Sequence, residues 1–242
     1  MDLAGWLGLT DVTSSIGERY RSVVGRVAEA AARVGRQPGE VTVVVAAKTF
    51  GAAAVAAAIA AGARDVGENY VQEARRKVTE LAPSAIRWHM IGRLQRNKTK
   101  AALPLFHLVH SLDRVELARA LDATAAGLGT RARCLVEVNL GGEATKGGVS
   151  PTALRQFLED CSPLPRLEIL GLMTIPPPGT VDDSRRRFAE LRALRDRFGD
   201  LRLPNVQLKE LSMGMSADFE AAVEEGATLV RVGTAVFGQR LR

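Results

Sequence analysis

Lysine, cysteine, histidine and tyrosine are all scarce in this chain: six lysines stand against 27 arginines, with two cysteines, three histidines and two tyrosines. Cys134 in a predicted strand and Cys161 at a predicted helix end have no CxxC spacing, which argues against a disulfide scaffold and for reducing, cytoplasmic chemistry. Histidine and cysteine form no cluster, so no metal site is expected. No run is long enough for a membrane span. The start Met1-Asp-Leu-Ala-Gly-Trp-Leu-Gly-Leu9 lacks the basic region and long apolar core of a secretion signal. No repeat, low-complexity tract or linker divides the 242 residues, so one domain over 1–242 is expected. A formal charge of +6 admits anionic ligands, phosphates and nucleic acid alike, without choosing among them.

Against that background one lysine stands out. Val41-Thr-Val-Val-Val-Ala-Ala-Lys48 is apolar on nearly every residue without alternation, the pattern of a strand covered on both faces. A lysine is rarely buried unless it is paired or used. Desolvation lowers its pKa and turns it into a nucleophilic amine, able to form a Schiff base with a carbonyl compound. The alternative is that Lys48 lies just past the strand end, in water.

The rest of the chain alternates strands with helices. A helix is predicted from the Thr13 cap to about Gly35, then strand 41–48, helix 51–62, a very short strand 65–67, helix 69–81, strand 86–91 and a helical segment 95–101. Strand 107–111, a helix capped by Asp113 and stopped at Gly127, strand 132–139, a Gly-rich loop 141–148 and a helix from Ser150-Pro151 to Cys161 follow. Strand 167–173, a helix opening at Asp182, strand 206–211, a helix starting at Ser216, strand 228–232 and the closing 234–241 complete it. Eight β–α units behind one extra helix predict an α/β fold, a single (β/α)8 TIM-type barrel with an extra N-terminal helix. An open doubly wound sheet has the same alternation and is the second choice.

A barrel places its active site at the C-terminal strand ends. That rule gathers Lys48, Glu68-Asn69-Tyr70, His89 through Gly92, Ser111, Asn139, Met173-Thr174, Ser212 through Ser216, and Arg231 through Thr234. Ser212-Met-Gly-Met-Ser216 and Arg231-Val-Gly-Thr234 follow strands seven and eight and lead into helix starts, where free N–H groups and close backbone approach suit a phosphate. A carbonyl-capturing lysine facing a phosphate cradle fits pyridoxal 5′-phosphate, and it fits a phosphosugar aldolase equally. His89, His107 and His110 read as structural. Arg185-Arg-Arg187 and the cluster from Arg93 to Lys100 read as solvated faces. The loop Gly141-Gly-Glu-Ala-Thr-Lys-Gly-Gly148 lacks the GxxxxGK[ST] order of a nucleotide loop.

From about residue 13 to 240 the chain resembles the pyridoxal phosphate homeostasis proteins, single-domain relatives of the alanine racemase barrel. The resemblance rests on Val45-Ala-Ala-Lys48, Gly67-Glu-Asn-Tyr-Val-Gln-Glu73, Trp88-His-Met-Ile-Gly-Arg-Leu-Gln-Arg-Asn-Lys98, Val138-Asn-Leu-Gly-Gly-Glu143 and Lys146-Gly-Gly-Val149. Gly171-Leu-Met173, Leu211-Ser-Met-Gly-Met-Ser-Ala-Asp218 and Arg231-Val-Gly-Thr-Ala-Val-Phe-Gly238 continue it. It implies that Lys48 carries the cofactor as a Schiff base, that Ser212, Met213, Ser216, Gly233 and Thr234 surround its phosphate, and that Arg231 and Asn69 lie near it. Whether Arg231 meets the phosphate or the ring nitrogen stays open. The implied role is intracellular homeostasis of pyridoxal 5′-phosphate by a cytoplasmic, monomeric carrier with no established reaction, serving pyridoxal phosphate-dependent apo-enzymes. Nucleic acid and membrane are not expected partners. The alternative is a weak amino-acid racemase. Racemases of this fold draw a second base, a tyrosine, from a further C-terminal domain that this sequence lacks before its end at Arg242, which leaves only Tyr70 near the mouth.

Overall fold

Eight parallel strands close on themselves: β1 (Thr42–Ala46), β2 (Asp65–Glu68), β3 (Arg87–Met90), β4 (Leu108–Leu112), β5 (Ala132–Glu137), β6 (Leu167–Met173), β7 (Val206–Ser212) and β8 (Leu229–Val232), with β8 returning to β1. The computed structural model describes residues 3–81, 85–142 and 147–239, with the backbone alone for 3–14. The closing register runs from Thr42↔Leu229 to Val45↔Val232. Closure settles the choice between barrel and open sheet.

The unalternating strand pattern has a direct cause. Val43 and Val45 of β1 face the surrounding helices, whereas Val44 points inward and packs with Leu108, Leu135, Met173 and Leu229. Both faces of the strand are therefore apolar.

The outer layer is α1 (Leu3–Arg33), α2 (Ala52–Ala60), α3 (Val71–Glu80), α4 (Thr99–Ala102), α5 (Val115–Gly127), α6 (Leu154–Cys161), α7 (Val181–Phe198), α8 (Phe219–Glu224) and α9 (Thr234–Phe237). The extra helix α1 lies across the last units. Its Arg19 Nε donates to Val236 O (2.8 Å), Arg26 pairs with Glu220 (2.9 Å) and Arg33 with Glu224 (2.7 Å). Exposed pairs of this kind add little individually. They orient a helix whose buried Ile16, Val23, Val27, Ala30 and Ala31 supply the adhesion.

Several boundaries differ from the sequence reading. Helix α1 begins at least ten residues before the Thr13 cap, so Thr13 is helical. The N-cap of α5 is Arg114, while Asp113 turns aside to pair with the Arg114 and Arg93 guanidiniums. Helix α7 opens at Thr180, whose hydroxyl accepts from Asp183 N (3.2 Å) while Asp183 takes the Thr180 N–H (2.9 Å), a capping box that ignores Asp182. Helix α8 starts at Phe219, because Ser216 to Asp218 form a turn tied by the Met215 N–H to Asp218 Oδ1 (2.7 Å). Strand β1 ends at Ala46, two residues short of Lys48.

Candidate functional site

Lys48 stands on a turn outside β1, and it is exposed. The premise of a buried lysine in the strand is thus corrected in favour of the reading just past its end. The backbone of that turn is nonetheless pinned. Ala47 N donates to Gly67 O (2.9 Å), and Ala47 O accepts both Phe50 N (3.1 Å) and the Lys77 ammonium (2.8 Å). Thr49 has φ 71°, a left-handed conformation that a β-branched residue adopts only under constraint. Phe50 stacks on Phe237 with ring centroids 4.4 Å apart, fixing the far side.

The buried lysine is Lys77, 1 % exposed on α3. It pairs with Glu68, which β2 points outward into the gap between barrel wall and helix. Burial pushes the Glu68 carboxyl above its ordinary range, against the pull of Lys77. Glu68 Oε2 has no hydrogen-bond partner. Sequence reading passed over Lys77, although it lies three residues after Ala74 on the buried face of α3.

The Lys48 side chain faces a cavity of about 580 Å³ at the C-terminal ends of the strands. Asn69, Ser216, Arg231, Gly233 and Thr234 line the same cavity, joined by Ile91, Gly92, Arg93, Glu137, Ile175 and Met215. Gly92 is required there, since a Cβ would stand 2.6 Å from Asn69 O. Gly214, at φ 89°, allows the β7–α8 loop to turn under this rim; a Cβ would sit 2.4 Å from Ala222 Cβ.

Ser212 and Met213 are not on the cavity surface. Met213 is fully buried in the main core, and its N–H bonds Leu229 O (3.1 Å). Ser212 is fully buried one layer beneath Arg231. The strand alternation explains this: Ser212 ends β7 pointing inward, so only Ser216, beyond the turn, reaches the rim. Ser216 Oγ accepts the N–H groups of Gly233 (3.2 Å) and Ala235 (3.1 Å), stitching the loop after β7 to the turn after β8.

Arg231 is 4 % exposed. Its guanidinium donates to Ser212 Oγ (2.5 Å) and Thr174 O (2.8 Å). Burial pushes it down to about 10, opposed by Glu137 and Asp218, so it remains charged at neutral pH. Glu137 is pushed up by burial and by Asp113, against Arg231 and Arg93. Sequence reading did not single out Glu137, because a lone carboxylate at a strand end carries no motif.

Tyr70 is outside the cavity. It is the N-cap residue of α3, 61 % exposed, in a neighbouring cleft with Arg93 and Lys98. Of the 141–148 loop, residues 143–146, Lys146 included, lie outside the described residues, and Gly147 reaches the cavity. Among the described residues no His, Cys, Asp and Glu group could hold a metal ion, and no helix is long and apolar enough to cross a membrane.

His89 and His110 stand in a buried chain below the cavity. Arg87 grips Asp65 with two 2.7 Å bonds, Asp65 Oδ1 meets His89 Nε2 (2.9 Å), His89 Nδ1 meets His110 Nε2 (2.9 Å), and His110 Nδ1 meets Ser212 Oγ (2.9 Å). They are structural as expected, and they are also connected to Arg231.

An amine-bearing turn, a hydroxyl-and-amide rim and a buried guanidinium meet around one cavity at the top of a closed (β/α)8 barrel, the arrangement of an anion-binding barrel protein. Residues 23–241 match the family described as alanine racemase, N-terminal domain. The pyridoxal phosphate homeostasis protein of Pseudomonas aeruginosa is 46 % identical over 228 residues, 94 % of this chain and 96 % of that one. Among solved structures, a protein of Bifidobacterium adolescentis described as unknown superposes with TM-score 0.88 at 34 % identity, covering 98 % of this chain and 97 % of the other. PipY of Synechococcus elongatus PCC7942, solved with pyridoxal phosphate bound, superposes with TM-score 0.81 at 39 % identity over 92 % of this chain and all of its own. The chain belongs to the pyridoxal phosphate homeostasis protein family.

Proposed function

We propose that this chain binds pyridoxal 5′-phosphate in the cavity, holds it covalently through Lys48, and serves cofactor homeostasis without a catalytic turnover of its own. The observation that carries this is the convergence of Lys48, Ser216, Gly233, Thr234 and Arg231 on one cavity of about 580 Å³. The donor set fits the molecule. The cofactor supplies an amine-reactive aldehyde at one end and a phosphate at the other. Lys48 would take the aldehyde, while the Ser216 hydroxyl hydrogen and the Thr234 amide, at the close backbone approach that Gly233 allows, would take the phosphate. Asn69 borders the ring.

Arg231 favours the carrier over the racemase. It points into the barrel, as Leu229 two residues before it does, and its bonds to Ser212 and Thr174 O hold it at the cavity floor, where it would meet the ring. A guanidinium only donates. A ring nitrogen facing it would stay unprotonated, which would weaken the electron sink that carbanion chemistry needs. The position of Tyr70 outside the cavity favours the carrier as well. Recipients in this reading are pyridoxal phosphate-dependent apo-enzymes of the cytoplasm, met by a monomer at a rim where Ile175 and Met215 stand exposed.

Purified protein mixed with the cofactor is expected to show a visible absorbance band, and borohydride should fix the label on Lys48 and on nothing in Lys48→Ala. A label on another residue, or none, overturns the reading. Solvent-deuterium uptake at Cα of amino acids above that of free cofactor would restore the racemase.

A further inference from the structure

The chain Asp65–His89–His110–Ser212–Arg231 runs through the barrel interior from the N-terminal ends of β2 and β3 to the cavity floor. Asp65 and Arg87 open their strands at the bottom, and Arg87 is half in solvent; Ser212 and Arg231 sit near the ends of β7 and β8 at the top. Each link is 2.5–2.9 Å, and every member but Arg87 is buried.

Counting hydrogens gives the chain a direction. Arg231 only donates, so Ser212 Oγ accepts from it, and the Ser212 hydroxyl hydrogen goes to His110 Nδ1. His110 then carries its hydrogen on Nε2 and donates to His89 Nδ1. His89 likewise carries Nε2–H and donates to Asp65, which only accepts. In this arrangement each histidine carries one ring hydrogen, and no hydrogen is spare. We infer that Asp65, His89, His110 and Ser212 are positioning residues for Arg231, a one-way hydrogen-bond relay whose direction sets whether the Ser212 hydroxyl hydrogen keeps its acceptor while the oxygen holds the guanidinium.

Reversal takes one proton. A proton added at His89 makes both its nitrogens donors. His110 must then accept at Nε2 and carry its hydrogen on Nδ1, donating it to Ser212 Oγ, which accepts from both His110 and Arg231 while its own hydrogen loses the acceptor that His110 had supplied. His89 faces Asp65 from β2, His107 just before β4 and His110 on β4, with Arg87 on its own strand engaged by Asp65 and Arg133 of β5 near His107. His110 faces His89 and Arg231, and burial together with those two neighbours holds it well below the ordinary imidazole value. A relay reversed in this way leaves His110 neutral in its other tautomer. Long networks of this type are held by every link at once.

The tautomers can be read in the ligand-free protein by long-range 1H–15N spectra of labelled histidine, from about pH 8 to about pH 5.5. At the upper end His89 and His110 should both carry Nε2–H, and any protonation of His89 should move the His110 hydrogen to Nδ1 at the same midpoint. In Asp65→Asn the side-chain amide can donate to His89, so His110 should show Nδ1–H already at the upper end. A His110 that keeps one tautomer through both changes, or that takes a second proton, overturns the relay. A second measurement rests on the cofactor reading: affinity for pyridoxal 5′-phosphate should fall about tenfold across that midpoint, the worth of one charge-assisted hydrogen bond, and His89→Gln should lose the step. Persistence of the step in His89→Gln overturns the link to the ligand. Absence of any cofactor binding sinks the proposed function and leaves the spectra to decide the relay.

Discussion

Replacing Lys77 by methionine should be a severe single change outside the cavity. The side chains of Lys77 and Glu68 are 1 % and 0 % exposed, and the ammonium also serves Ala47 O. Methionine fills the same volume but leaves a buried carboxylate without a partner, when Glu68 Oε2 already has none. Breaking such a pair from one side costs about 3–5 kcal/mol. For a chain of this length each kcal/mol corresponds to about 2–4 °C in Tm, so a fall of about 6–20 °C is expected. The double variant Lys77→Met with Glu68→Leu removes both charges and should recover most of the loss, because a buried pair exchanged for apolar groups of similar volume is often neutral. Denaturant unfolding of the four proteins closes the cycle. The two residues are not the coupled pair described if Lys77→Met unfolds within about 1 kcal/mol of the parent, or if the double variant is less stable than the single one.

Two further outcomes follow from other parts of the barrel. Burial would raise Asp65, but hydrogen bonds from His89 and Arg87 outweigh it and hold the carboxyl at about 2, below its ordinary 3.8. A depressed carboxylate stabilises above the unfolded value and loses that contribution as pH falls toward the folded one. About 2 kcal/mol should therefore disappear between about pH 4 and pH 2, and urea midpoints should show this limb flattened in Asp65→Asn. Gly214→Ala places a Cβ 2.4 Å from Ala222 Cβ at φ 89°. It should cost at least about 2 kcal/mol in denaturant unfolding, and a near-neutral result would mean that the loop after β7 is free to shift.

How much of this was legible beforehand depended on the range of the signal. The barrel could be read because each strand announces itself within a few residues and the order of units does the rest. Helix starts could not be placed as well: Asp113, Asp182 and Ser216 are all good capping residues, but Asp113 and Ser216 are drawn into other bonds, and Thr180 with Asp183 makes the cap expected of Asp182. Lys48 was found for a partly mistaken reason, since the pattern of small and β-branched residues runs on through Ala47 after strand pairing stops. Ser212 and Ser216 look alike in the sequence, and only the inward pointing of β7 separates them. The histidines were hardest, because Asp65, His89, His110 and Ser212 come from four strands, and a single histidine on a strand shows nothing of what stands across the barrel.

That crossing also bears on how such a chain can be assembled. The first half of the barrel, β1 to β4, supplies Asp65, His89 and His110, and the second half, β5 to β8, supplies Ser212 and Arg231. Neither half satisfies its own interior: the first ends in an imidazole nitrogen of His110 with no donor above it, the second in a buried Ser212 hydroxyl whose hydrogen has no acceptor. Two copies of the same half would bring together two unmatched ends of the same kind, at the cost of buried unpaired groups on each side. The polar thread thus makes the halves complementary parts rather than interchangeable modules.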